Sequence, residues 1–585
     1  VRKFLLILTA CACLVAVVGF ALAHGWLGRR QGAGEVSQQT VPDAWTRAKL
    51  EDQRAAARTL DAPLDRQILF GDLHVHTSFS FDAFMLSLPM FQGEGAHPTA
   101  DACDYARFCS GLDFWSINDH AEGLTPFQWN ETRRSLRQCQ AVSGDSESPD
   151  LVSFLGWEWT QIGATPDDHY GHKNVILRDL EEEKVPARPI SSRNELFPPG
   201  SKIREIGPAL RLLMIAGSPG SDDRQPYLDA ARFQQDRDET KPCPTGTAVR
   251  DLPLDCQEGA PTPEELFNKL DDWGFPYLVI PHGNTWGFYT PPGASWDKQL
   301  AAHDDPARRE PLFEIFSGHG NSEEYRDFRA VQFDSEGNAR CPAPSADYLP
   351  SCWRAGEIIR QRCIDAGEAG DECERRAEIA RRHYLEAGTT GAVTVPGATA
   401  DDWLDSGQCR DCYMPAFNYR PANSAQYALA ITNFDYPDFP KRFRFGFIAS
   451  SDVHTARPGT GYKEIDRRLN TDSALGQFAR FIPRSEKPEP NSLAIDSGVI
   501  PLPEFERFSS FFGTGGLVAV HSSGRDRNSI WDALKRKEVY ATSGDRILLW
   551  FDLLSDSGAD LPMGSETARS GTPRFRVRAA GAFHQ

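Results

Sequence analysis

The sequence predicts an α/β protein built as a (β/α)-barrel, and three observations predict it. Short apolar, β-branched or aromatic runs recur from Ile68 onward in the manner of strands. Each run stops abruptly at a polar cluster that offers His, Asp or Glu. Helical patterns fall between several of them, for example Thr99 to Cys109 and Pro263 to Trp273, as βα alternation requires. A parallel barrel carries its active site at the carboxyl ends of its strands, which is where these clusters would lie.

Taken in order, Ile68–Phe70 precedes Asp72-Leu73-His74-Val75-His76, Leu112–Ile117 precedes Asn118-Asp119-His120, and Leu151–Leu155 precedes Gly156-Trp157-Glu158. Tyr277–Ile280 then leads into Pro281-His282-Gly283, Leu312–Phe316 into Ser317-Gly318-His319, and Phe443–Ile448 into Ser451-Asp452-Val453-His454. Two segments, about 180–262 and 320–442, break the alternation. They are rich in Pro, Gly and Cys and read as long insertions above the barrel. Phe575 to Ala579 alternates like a strand and reads as the start of a C-terminal β module over 547–585. Residues 24–66 read as a linker and lead-in helix, and 67–546 as the main domain.

The ends and the cysteines bear on location. An apolar run from Phe4 to Ala23 follows Arg2-Lys3 and closes on Ala21-Leu22-Ala23, the small-x-small form of a signal-peptidase site. Export is the first reading, to the periplasm or beyond. An uncleaved membrane anchor is the second, since the run is long enough to span, and a lipoprotein site at Leu8-Thr9-Ala10-Cys11 is a third. Of the 13 cysteines, Cys243 with Cys256, Cys341 with Cys352 and Cys363 with Cys373 read as disulfide staples of an exported chain. Cys409-Arg-Asp-Cys412 reads as a local disulfide or two separate bridges. An odd thiol is expected in the group Cys103, Cys109 and Cys139.

The net charge of −19 and the absence of a basic tract argue against general nucleic-acid binding, which depends on clustered Lys and Arg. A small-molecule ester is the expected partner, with a membrane contact only if the N-terminal segment is retained.

His74-x-His76 places two imidazoles on one face of an extended chain, where both can reach one cation. Such a pair alone is weak evidence. Asp119, His120, Glu158, His282 and Asp452-x-His454 at further strand ends make chance placement implausible. Imidazoles and carboxylates gathered in one place need a cation to offset desolvation and mutual repulsion. Their mixture suits divalent ions of the Zn, Mn or Fe kind.

The motifs Gly71-Asp72-Leu73-His74-Val75-His76-Thr77, Asn118-Asp119-His120, Gly156-Trp157-Glu158, His172-Lys173-Asn174-Val175, Pro281-His282, Glu314 to His319, Ser451-Asp452-Val453-His454 and Tyr540-Ala-Thr-Ser-Gly544 resemble the polymerase-and-histidinol-phosphatase (PHP) superfamily. Within it the chain looks closest to the relatives grouped as domain of unknown function 3604, over about residues 67–546. The resemblance implies a distorted (β/α)7 TIM-like barrel holding up to three metal ions. It implies that His74 and His76 bind one ion, with Glu158 as a bridging carboxylate and Asp452 opposite. Asp82 would join His120 at a second ion, and His172, His282 and His454 would complete the set. His172 stands apart because its motif begins an apolar run instead of ending one. Both insertions and the C-terminal β segment are absent from minimal superfamily phosphatases, so the resemblance carries chemistry and not substrate.

The expected function is that of an exported metal-dependent hydrolase, with a phosphate ester as substrate. Such ions lower the pKa of bridging water and neutralise charge on a phosphoryl group. A sulfate ester, lactone or amide is the alternative bond, and a non-catalytic metal-stabilised binding module the alternative class. His319, then Asp119, are candidates to protonate the leaving oxygen. Lys173, Arg457 and Arg410 are candidates to bind the phosphate, each against the plainer reading of a solvated or paired cation. Trp157, Trp159 and Trp286 flank ligand motifs and read first as core.

Overall fold

The computed structural model describes residues 2–89, 93, 95–163, 165–193, 208–209, 212, 215, 224–285, 290–291, 293–302, 305–318, 320–322, 331–336, 338–387, 391, 394–398, 400–403, 406, 421–460, 486–492, 515–555 and 558–581. His319, Arg410, Trp286, Cys409 and Cys412 lie outside them.

The predicted apolar runs become strands: β1 (Gln67–Asp72), β2 (Phe114–Ser116), β3 (Val152–Gln161), β4 (Gly171–Leu177), β5 (Tyr277–His282), β6 (Leu312–Ser317) and β7 (Gly446–Ala449). Two more follow, β8 (Leu517–Ser522) and β9 (Val539–Thr542). Seven of them form one sheet in the order β9-β8-β1-β2-β3-β4-β5, and β6 pairs with β7 in a second. The large sheet curls into a half-barrel, with β6 beside its β5 edge and β7 beside its β9 edge. Alternate residues of β1 to β8, among them Leu69, Phe114, Phe154, Ile176, Ile280, Leu312, Ile448 and Val518, meet in a single buried cluster.

Strand direction departs from the expected alternation. β1, β2 and β3 are parallel, but β3 turns back directly into β4, which is antiparallel to both β3 and β5. β8 is likewise antiparallel to β1 and β9. The architecture shown is therefore mixed α/β around a curled half-barrel. The physical reason lies in the connection from Gln161 to Gly171, which is too short for the crossover that parallel neighbours need. β3 also runs on past Gly156 to Gln161, so Glu158 is inside the strand and not at its end.

The sequence shows why the supporting helices start and stop where they do. Helix α1 spans Arg2–Ala23 and α2 spans Asp43–Thr59. Helix α3 (Pro126–Ala141) begins with a capping box between Thr125 and Gln128 and a proline in its first turn. Helix α4 covers Arg224–Glu239. Helix α5 (Pro263–Trp273) is capped by the Thr262 hydroxyl and ends at Gly274, whose φ of +69° suits glycine. At Gly71 a side chain is excluded by proximity, because a Cβ there would lie 2.4 Å from the Phe114 ring across the β1–β2 pair.

Within the second insertion, α6 (Ser351–Asp365) and α7 (Gly370–Glu386) pack on Trp403 around their own small core. The predicted pairs Cys243–Cys256, Cys341–Cys352 and Cys363–Cys373 are all bonded. Cys103 pairs with Cys139, which leaves Cys109 as the exposed odd thiol of that group. The four disulfides among the described residues and an apolar N-terminal helix fit an oxidising, exported setting. At the other end, Phe575–Ala580 is a strand paired with Leu548–Leu553.

Candidate metal centre

All nine predicted ligands come together at one end of the curled sheet. Six are imidazoles. His74 and His76 follow the end of β1, and their Nε2 atoms lie 3.1 Å apart. Between them Val75 pairs with Val453, which draws the 451–454 loop alongside and sets Asp452 Oδ1 at 3.1 Å from His74 Nε2 and 3.3 Å from His76 Nε2. Asp452 has a φ of +53°, a left-handed conformation that Asp tolerates better than most residues.

Glu158 is the hub. Oε1 lies 2.7 Å from His172 Nδ1 and 3.3 Å from His282 Nε2, while Oε2 lies 3.2 Å from both His76 Nε2 and His120 Nδ1. Asp82, at the start of the helix Phe81–Leu86, faces His120 and His454 with one oxygen, 3.2 Å from each. Four overlapping triads have donor atoms within 4.8 Å of one another: His76, His120 and His454; His74, His76 and Glu158; His74, His282 and Asp452; Glu158, His172 and His282.

The antiparallel course of β4 accounts for His172. Its motif begins an apolar run because β4 starts where β3 and β5 finish, and His172 stands opposite Thr160 on one side and His282 on the other. Strand alternation then carries Lys173 to the opposite face. There its ammonium is fully buried, 3.1 Å from Glu310 and 2.7 Å from Gln299. The structure does not bring Lys173 to the cluster, which removes the contact that phosphate binding would need.

Asp119 is also drawn away from the proposed proton transfer. Its carboxylate accepts from the backbone N–H and hydroxyl of both Thr77 and Ser80, at 2.7 to 3.1 Å. The Ser80 hydroxyl in turn lies 2.9 Å from His76 Nδ1, so Asp119 acts on the centre by holding the loop behind His76. Arg457 is half-buried close to Tyr105, and among the described residues no contact between it and the cluster is seen. Trp157 and Trp159 alternate with Glu158 and point into the main core, as expected of them.

Several supporting residues have no role that the sequence assigns, although Asp72 and Glu314 stand in its motifs. Glu314 in the middle of β6 faces His74 Nδ1 at 3.1 and 3.2 Å. Thr160 reaches His120 Nδ1 at 2.5 Å. Asp72 accepts from the backbone of His74, Ser451 and Gly459, which ties the end of β1 to the Asp452 loop. A sequence signal existed for Glu314, since a lone carboxylate inside the run Leu312–Phe316 needs a buried partner.

With protein charges alone the centre is strongly polarised. Burial opposes charge on Glu158, yet the facing imidazoles, His120 first, hold its carboxyl well below the usual range. Burial likewise opposes charge on His74, but Asp452 and Glu314 hold it well above the usual imidazole value. His120 is raised to about 9 by Glu158 and Asp82 against the same burial, whereas burial pushes His172 down to about 4. Bringing so many ionisable groups out of water is costly unless a cation compensates them. The donor set, imidazole nitrogen and carboxylate oxygen at near-contact separations, fits divalent transition-metal ions.

Fold and site together define a mixed α/β protein with a buried histidine–carboxylate centre able to hold metal ions. A family model described as a protein of unknown function (DUF3604) matches residues 63–147 and 440–567 and supports placing the chain in that family. The matched stretches include His74, His76, Asp82, His120, Asp452 and His454, while Glu158, His172 and His282 fall between them. Searches of curated proteins and of solved structures find no match.

Proposed function

We propose that the chain is an exported metal-dependent hydrolase of the PHP type that cleaves a phosphate ester. The observation that carries this reading is the position of Glu158, with two imidazoles facing Oε1 and three facing Oε2. A carboxylate approached by imidazoles on both oxygens would, together with them, hold more than one cation. Asp82 and Asp452 add a further acidic donor on either side, so that three carboxylates would offset part of the charge of two or three ions of Zn, Mn or Fe.

Such ions, when bound, supply Lewis acidity and a nucleophile from water near neutral pH. The protein's own groups do the positioning. Glu314 fixes the His74 ring, Ser80 and Thr160 fix His76 and His120, and Asp119 and Asp72 hold the loops that carry them. The shared core of β1 to β8 supports a barrel-like closure of the PHP kind, with the centre at the end where β1, β2, β3 and β5 finish. His319 is the first candidate to protonate the leaving oxygen.

The test is turnover of nitrophenyl phosphate, bis-nitrophenyl phosphate and nitrophenyl sulfate by purified, fully metallated protein. Cleavage of a phosphate ester and not of the sulfate is expected. If neither phosphorus substrate is cleaved, the phosphate reading fails even if metal is bound.

A further inference from the structure

Helix α1 carries no charge between Phe4 and Ala23, and none of its most apolar 18-residue window is buried against the rest of the chain. At about 1.5 Å per residue its 22 residues measure roughly 33 Å, close to the ~30 Å of a bilayer's hydrocarbon core. Arg2 and Lys3 flank one end. At the other, Trp26 stands exposed beside His24 and Phe20, as aromatic residues do at a membrane interface.

The end of the helix and the segment that follows it are tied to the body. Leu22 packs into the cluster of Phe84, Leu88, Tyr227 and Ala231. Gly25 and Gly28 press directly on α4: a Cβ would lie 2.5 Å from the Ala231 carbonyl oxygen and 2.0 Å from that of Leu228. The Arg29 N–H donates to Asp229 at 2.7 Å, and the Arg30 guanidinium makes a two-point pair with Asp236 at 2.7 and 2.9 Å. The Ala33 N–H donates to Glu131, its carbonyl accepts from Ala100, and the residue is fully buried. No free linker separates the apolar helix from the body.

From this arrangement we infer that α1 is retained as a bilayer span and that residues 22–36 clamp the body flush against the lipid surface. The occupant of the exposed apolar helix is the bilayer itself. Phe81 and Phe84, which flank Asp82, pack on Phe233 of α4, the helix that receives the clamp. The helix that carries Asp82 is thereby linked through α4 to the clamp, so the centre does not swing on a tether.

The experiment uses the full chain expressed in a host with an inner membrane. After alkaline carbonate washing the protein is expected to stay in the membrane pellet, with an intact mass that includes residues 2–23. A soluble protein beginning at His24 would overturn the inference. Hydrogen exchange on the detergent-solubilised chain then reads the clamp: the Arg29 and Ala33 amides are expected to exchange at least about tenfold more slowly than in an unstructured peptide. Exchange at peptide rates would show a flexible tether and overturn the flush docking. In Gly28→Leu, whose side chain would collide with Leu228, that protection is expected to vanish while membrane retention and metal content persist. Unchanged protection in this variant would equally overturn the clamp.

Discussion

Glu314 lies 3.1 Å from Nδ1 of His74, across the imidazole from the Nε2 atom that meets Asp452 at 3.1 Å. A carboxylate behind a ligating histidine fixes the ring and its tautomer and makes the far nitrogen a better donor. Glu314→Gln is therefore expected to weaken metal binding by roughly 10- to 100-fold while leaving the protein folded. Competition against a graded chelator, alongside near-UV circular dichroism, measures both. Unaltered affinity would reduce Glu314 to a packing role.

Removing two ligands at once tests the centre itself. His74 and His76 take part in three of the four donor triads. His74→Ala with His76→Ala should abolish hydrolysis and lower metal content by at least one ion per chain, as read by elemental analysis, with the fold retained. Full activity in that double variant would remove the site assignment.

Metal binding should be linked to protons in a defined direction. His120 is raised from its ordinary value of 6.5 to about 9 by Glu158 and Asp82, although burial opposes this, and it must lose its proton before it can ligate. Affinity should therefore climb as pH rises from 6.5 to 9, with proton release on binding. Titration calorimetry in buffers of different ionisation enthalpy counts those protons. In the metal-free protein the sign is reversed. The stability from charged His120 is fully present below pH 6.5 and is lost as pH rises through about 9, so the apo melting temperature should fall across the window in which metal affinity grows. A parallel rise of both would contradict the assignment of His120.

Lys173 separates a structural cation from a substrate-binding one. Its pair with Glu310 is buried on both sides, and burial lowers the Lys173 pKa from its ordinary value. Lys173→Met should cost about 3–5 kcal/mol by removing the buried cation beside the Glu310 carboxylate, with KM and metal content unchanged in the folded fraction. Adding Glu310→Leu should restore most of that loss, as read by chemical denaturation. A raised KM with unchanged stability would instead return Lys173 to the substrate.

Much of the centre was legible because strand-forming runs and ligand-type residues are local features. His74-x-His76 and Asp452-x-His454 each declare a shared face through a spacing of two, and six apolar runs became strands near their predicted positions. The direction of β4 was not legible. A run that begins at its ligand reads as an exception until its neighbours are known, and pairing with β3 and β5 turns His172 into a regular member of the set. The same pairing sends Lys173, one residue on, to the opposite face. Asp119 looked catalytic beside His120, yet its fate depended on the donors that the 77–80 loop brings to it.

The sequence by itself determined the residue types of the centre, the runs that carry them and the cysteine pairs of the insertions, because these follow from hydrophobic period and short spacing. Only the tertiary structure decided that Glu158 is shared between two sets of imidazoles, that Glu314 stands behind His74, and that the sheet is mixed. Some of those relations join residues 240 or more positions apart, as His74 with Glu314 and Gln67 with Ser522. Local pattern says which face a side chain takes, but what it meets there, and hence its charge, is set by the strands and loops packed against it.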